Sequence, residues 1–180
     1  MRRFAGLVVS LAAVGLLTAV SASAGGNGSF TQTQNLHGTD VQQIGVLGIT
    51  PPPDLPSNCP VSLPLAFIPT TGNAVQHLTV NGAGDGWFTT TFAGDTQLFE
   101  GVVIDNNGDV APVGNQLYSG HLTTWFGSED NNKNSVLHAT LSFHGTSTDG
   151  SQSLSLHAQF DVTVNANGSV TATPTTVSCS

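Results

Sequence analysis

The chain is short of charge and almost without positive charge. Its 180 residues hold 3 Lys or Arg against 11 Asp or Glu, and charged residues are 8% of the total. Nucleic-acid binding rests on Lys and Arg neutralising phosphates, so this composition argues against it. It argues equally against anionic membrane surfaces. Cysteine is scarce at two residues, and no Cys/His ligand spacing occurs, which speaks against a zinc site. Long apolar runs are missing as well: the longest, Leu7 to Val20, is 14 residues, short of the about 20 that a membrane-spanning helix needs. No stretch beyond it has helical periodicity. G-x-S-x-G elbows, Walker loops and dinucleotide fingerprints are also absent.

What is present first is an export signal. Met1-Arg2-Arg3 is a positive n-region, Leu7–Val20 an apolar core, and Ser21-Ala22-Ser23-Ala24 a small-residue cleavage site. Residues 1–24 therefore read as a signal peptide and the protein as secreted, with no membrane attachment after cleavage. Cleavage removes Arg2 and Arg3. Lys133 is left alone against 11 carboxylates, a formal charge of −10, which favours solubility. In an oxidising compartment Cys59 and Cys179 read as a disulfide tying the start of the core to its last strand. A dimer bridge or a catalytic thiol are the competing readings, and neither cysteine lies in a nucleophile motif.

The remaining 156 residues suit one domain. Residues 25–57 form a polar, Pro-rich N-terminal segment: 25–35 are loosely held, Val41 to Thr50 is a possible strand, and Pro51, Pro52, Pro53, Pro56 and Pro60 make a stiff connector. Residues 58–180 form the β domain. Val61, Leu63, Leu65 and Phe67 alternate with polar or small residues. Segments 75–80 and 86–93 flank a Gly-rich turn, and Asn107-Gly108 marks a hairpin.

Registers follow for the last third. A two-residue type I′ turn at Asp149-Gly150 places Leu141 opposite Ala158 and Phe143 opposite Leu156, apolar to apolar. A three-residue loop at Ala166-Asn167-Gly168 places Val164 opposite Val170 and Val162 opposite Ala172. About eight to ten strands result. The expected fold is all-β: a small antiparallel up-and-down barrel, with a two-sheet sandwich as the alternative.

The segment Tyr118-Ser-Gly-His-Leu-Thr-Thr-Trp-Phe-Gly127, with Asn58-Cys59, Gly145 to Ser151, Val162 to Gly168 and Cys179, resembles a group of secreted actinobacterial proteins. The likeness spans about residues 58–179 and departs at Ser147, where the pattern calls for Gly. It implies an exported bacterial β protein and transfers no catalytic residue.

Histidine is the conspicuous titratable residue, with six copies. In the register above His138 faces Asp161, and His144 lies diagonal to His157. All four point to the polar side, where such residues are ordinarily solvated, so no metal site is assigned. Asp105 to Asp109 begins like a calcium loop but has Val110 where Gly is needed. No cofactor is implied. The aromatic strand Gln116 to Phe126 suggests a ligand site near Tyr118, His121 and Trp125. The expected function is a secreted, non-enzymatic β domain that binds a small ligand or surface partner. Alternatives are a structural cell-envelope protein, or a barrel-interior cyclase or isomerase for which Glu100 is the one nominated carboxylate.

Overall fold

Two-residue periodicity draws the chain into strands from Phe30 onward. The structure, a computed structural model, describes residues 28–49, 55–62, 64–104, 110–131, 134–165 and 170–180. The signal sequence, the calcium-like loop, Lys133 and the turns at Asn107-Gly108 and Asn167-Gly168 lie outside the described residues.

The elements are β1 (Phe30–Gly38), a 3-10 helix (Thr39–Ile44), β2 (Leu47–Ile49), β3 (Leu65–Val80), β4 (Gly86–Glu100), β5 (Val102–Ile104), β6 (Val110–Pro112), β7 (Gln116–Asp130), β8 (Asn134–Ser147), β9 (Ser153–Asn165) and β10 (Val170–Cys179). Eight strands make one antiparallel sheet in the order β1-β3-β4-β7-β8-β9-β10, with β2 also on β3; β5 and β6 pair separately. From the segment before residue 58, Phe30–Gly38 and Leu47–Ile49 are thus part of the sheet. β1 lies along Gly72 to Val80 of β3, and β2 along Leu65 to Phe67. Leu36, Val41, Ile44 and Leu47 of this segment are buried in the core. Of the expected strand over Val41–Thr50, residues 41–44 belong instead to the 3-10 helix and Leu47–Ile49 form β2.

Alternation gives the sheet two faces. One carries Phe67, Phe92, Leu98, Leu122, Phe126, Leu141, Phe143, Leu156 and Phe160, all nearly inaccessible to solvent. The other carries Thr, Ser, His and Gln. The apolar face curls onto itself. β3 and β8 are three strand steps apart, about 14 Å along a flat sheet. Yet the rings of Phe67 and Phe143 meet edge to face with centroids 5.6 Å apart. Glycine pairs help the bend. Gly72 faces Gly94, and Gly120 faces Gly145. A Cβ at Gly94 would lie 2.2 Å from the Thr71 carbonyl oxygen, and one at Gly120 lies 2.1 Å from that of His144. No side chain fits where these backbones approach.

The curled sheet does not close into the expected barrel. Among the described residues no ladder joins β10 to β1, β2 or β3. The free edge of β3 is already taken by β1 and β2. What reaches β10 is the loop before β3, in which Pro56 and Pro60 lack the N–H a ladder needs. The contact is made otherwise. Cys59 and Cys179 form a disulfide with Cα atoms 5.2 Å apart, and Asn58 Nδ2 donates to the Cys179 carbonyl at 3.2 Å. The sandwich alternative does not describe the fold either, since a single large sheet packs against its own inner face.

The predicted register of β8 and β9 is observed: Leu141 pairs with Ala158 and Phe143 with Leu156. β9 and β10 pair as expected at Val164–Val170 and Val162–Ala172, with a bulge between Thr173 and Thr176. The β8–β9 turn is not type I′, which requires positive φ at Asp149; among the described residues no non-glycine has it. The chain forms a four-residue loop closed by Ser147 N–H donating to Gln152 O at 2.9 Å, with Gly150 at φ 74°.

Asp149 organises that loop. Its carboxylate accepts from Ser147 Oγ at 2.6 Å, Ser151 N–H at 3.0 Å and Ser151 Oγ at 2.8 Å. The Ser147 hydroxyl, then the Ser151 amide and hydroxyl, stabilise the anion and lower its pKa to about 2. The native state thus holds the anion better than the unfolded chain does. This contribution to stability is present above the ordinary carboxylate pKa of about 3.9 and is lost as pH falls through about 2. Carboxyl-detected NMR titration is expected to place the Asp149 midpoint near 2. A midpoint near 3.9 would show that the loop hydrogen bonds do not form in solution.

Candidate functional site

The motif Tyr118 to Gly127 runs along the centre of β7, and alternation sends its residues to opposite faces. Tyr118 faces inward at 4% exposure, and its hydroxyl donates to Gln152 Oε1 at 3.2 Å. Gly120 makes the close approach to Gly145. His121 and Trp125 face outward. The structure therefore brings His121 and Trp125 onto one face and places Tyr118 beneath it, so the three do not share a cavity.

Trp125 is 40% exposed and Trp87 37%, and these are the chain's only tryptophans. Both lie on the outer face. Trp87 is opposite Glu129, four residues along β7 from Trp125. The Trp125 indole lies down along its own strand. A Cβ built on Gly127 would sit 2.6 Å from Trp125 Cη2 and 2.8 Å from Cζ2. The outer rim of the six-membered ring thus reaches over Gly127 and occupies the space that a side chain there would fill.

Beside it is a depression of about 300 Å³, lined by Thr123, Thr124, Trp125, Thr140, Leu141, Ser142 and His157. The register explains this set. Trp125 pairs with Thr140, which pairs with Gln159; Thr123 pairs with Ser142, which pairs with His157. Three neighbouring strands so present hydroxyl and imidazole groups beside one aromatic ring. A second depression of about 450 Å³ lies against His144, Gly145, Thr146, Ser153, Leu154, Ser155 and Ser180.

Ionisable groups on this face are few. His121 Nδ1 is 3.6 Å from Asp95 Oδ1, with both side chains mostly exposed, so the pair is worth little. His138 hydrogen-bonds Asp161, as their opposed positions predict. His144 and His157 are diagonal across β8 and β9, also as predicted, and both are exposed. Among the described residues no three His, Cys, Asp or Glu side chains cluster closely enough to hold a metal. Glu100 ends β4 exposed to solvent and does not point into an interior.

Sequence reasoning reached Trp125 and His121 through the aromatic strand. It missed Gly127, Thr140 and Ser142. Ser142 opposite His157 and Thr140 opposite Gln159 were implicit in the β8–β9 register. The β7–β8 register, which brings Trp125 beside them, was not, because Asn131-Asn132-Lys133-Asn134 specifies no single turn type. No protein family matches the chain, and neither does any curated protein or solved structure.

Proposed function

We propose that this is an exported, non-catalytic binding domain, and that its working surface is the outer face of the sheet around Trp125. The supporting observation is the exposed indole reaching over Gly127 beside a depression rimmed by hydroxyl groups. Exposed apolar surface rimmed by polar residues is a feature of recognition sites, and Trp125 and Trp87 share this face. The inner face offers less. Its side chains fill the curl, as the Phe67–Phe143 and Phe88–Phe126 contacts illustrate. Export accords with the signal-like N-terminus, the disulfide, and the absence among the described residues of a helix long and apolar enough to cross a membrane.

The test is a saturation-transfer NMR screen of small metabolites, short peptides and oligosaccharides against the purified protein. The expected result is a set of hits that compete with one another and lose their signal with Trp125→Ala. Hits that persist in that variant, or a screen without hits, would overturn the outer-face reading.

A further inference from the structure

We infer that the ligand of the Trp125 surface is a neutral carbohydrate chain, an inference that rests on the outer-face reading above. Four features of the site point the same way.

The first is the exposed ring itself. An aromatic face carries negative potential and attracts polarised C–H groups laid across it. The C–H-bearing face of a pyranose is flat, of similar size, and lies parallel to such a ring. The bare backbone of Gly127 leaves room for this indole along the strand, since a Cβ there would lie 2.6 Å from the ring.

The second is the polar rim. Thr123, Thr140 and Ser142 are hydroxyls, which both donate and accept, and the neutral imidazole of His157 carries both capacities. Sugar hydroxyls have the same dual character and need this kind of partner. A peptide backbone would pair better with a free strand edge than with the face of a sheet whose ladders are complete.

The third is charge. The residues lining the depression include no Lys, Arg, Asp or Glu. Sulfated, phosphorylated or uronic-acid polymers would find no cation here, and nearby Asp95 and Asp161 would repel them. A cationic ligand would find no carboxylate in the hollow itself. A neutral glycan meets neither obstacle.

The fourth is extent. The depression, about 300 Å³, is at the small end of ligand sites, which run about 300–1,000 Å³. It is open along the face, and Trp87 lies on the same face about 14 Å away by strand rise and spacing. The Trp125 ring leans toward that row, over Gly127. Two stacking rings at this separation suit an extended chain of several sugar units more than a single one. Shallow, open contact of this kind gives modest affinity, with the aromatic anchor dominant.

The experiment is isothermal titration of the purified protein with three neutral hexasaccharides: β-1,4-linked glucose, β-1,4-linked N-acetylglucosamine and α-1,4-linked glucose. At least one is expected to bind, and its monosaccharide much more weakly. Trp125→Ala is expected to lower the affinity about thirtyfold, the size of an aromatic hot spot of about 2 kcal/mol. Gly127→Ala keeps the tryptophan but tilts it off the strand, and is expected to weaken binding at unchanged circular dichroism. Failure of all three sugars to bind at millimolar concentration overturns the carbohydrate assignment. If non-sugar hits dependent on Trp125 then emerge from the screen above, the outer-face reading stands and a different ligand class is indicated. Binding that Trp125→Ala leaves intact overturns both.

Discussion

Replacing Cys59 and Cys179 by serine is expected to lower the unfolding free energy by about 3–5 kcal/mol. The bridge spans a sequence separation of 120, so in the chain-entropy model it removes much of the freedom of the unfolded chain. It also has a structural part here. Among the described residues no ladder joins β10 to the strands at the far side of the curl, and the disulfide with the Asn58–Cys179 hydrogen bond makes that contact instead. The double-serine variant is therefore expected to loosen locally before it unfolds. Amide hydrogen exchange should rise at residues 55–62 and along β10, well ahead of β4 and β7. Denaturant unfolding gives the free energy. A loss under about 1 kcal/mol would mean that packing of the loop and β10 alone holds the curl.

The second large effect concerns the curl itself. Phe67 and Phe143 are both fully buried, and truncating either to alanine is expected to cost about 3–5 kcal/mol. Against a total stability of about 5–15 kcal/mol the double alanine variant sits near the folding threshold. Leucine at each position supplies a gentler cycle. Because the rings touch, the two substitutions are expected to be non-additive, with a coupling of about 0.5–1.5 kcal/mol. Independent effects would mean that β3 and β8 do not face one another and that the sheet is flatter than described.

Where local chemistry determines structure, the sequence is readable here. The β8–β9 pairing follows from period-two alternation together with a turn at Asp149-Gly150, because a slip of one residue would turn Phe143 and Leu156 to solvent. The turn type was not readable in the same way. Asp149 spends its side chain on Ser147 and Ser151, and the loop widens to four residues, leaving Gly150 as the only one with positive φ. β1 was missed because it buries only Leu36; a strand of alternating Thr, Gln and Asn gives little apolar signal, although it completes the edge of β3. Barrel closure failed as an expectation for a related reason. Once β1 and β2 occupy that edge, β10 meets a proline-bearing loop, and a disulfide does what a ladder would otherwise do.

The site divides along the same line. Trp125 and His121 stand out in sequence as large side chains on a strand with two dissimilar faces. Which face is outside depends on the curl, and the neighbours of Trp125 depend on the β7–β8 register. The role of Gly127 depends on a rotamer, which no pattern encodes. Tyr118 belongs to the core although it lies in the same motif, since its position has the parity of Leu122 and Phe126.

Hydroxyl-radical footprinting of the native protein, read by mass spectrometry, tests the assignment of faces most directly. Trp125, Trp87, His121 and His144 are expected to oxidise readily, while Tyr118, Phe67, Phe92 and Phe143 stay protected until the protein unfolds. Oxidation of Tyr118 and Phe143 in the native state at rates comparable to Trp125 would reveal a hollow, solvent-filled interior and contradict the placement of the working surface on the outside of the sheet.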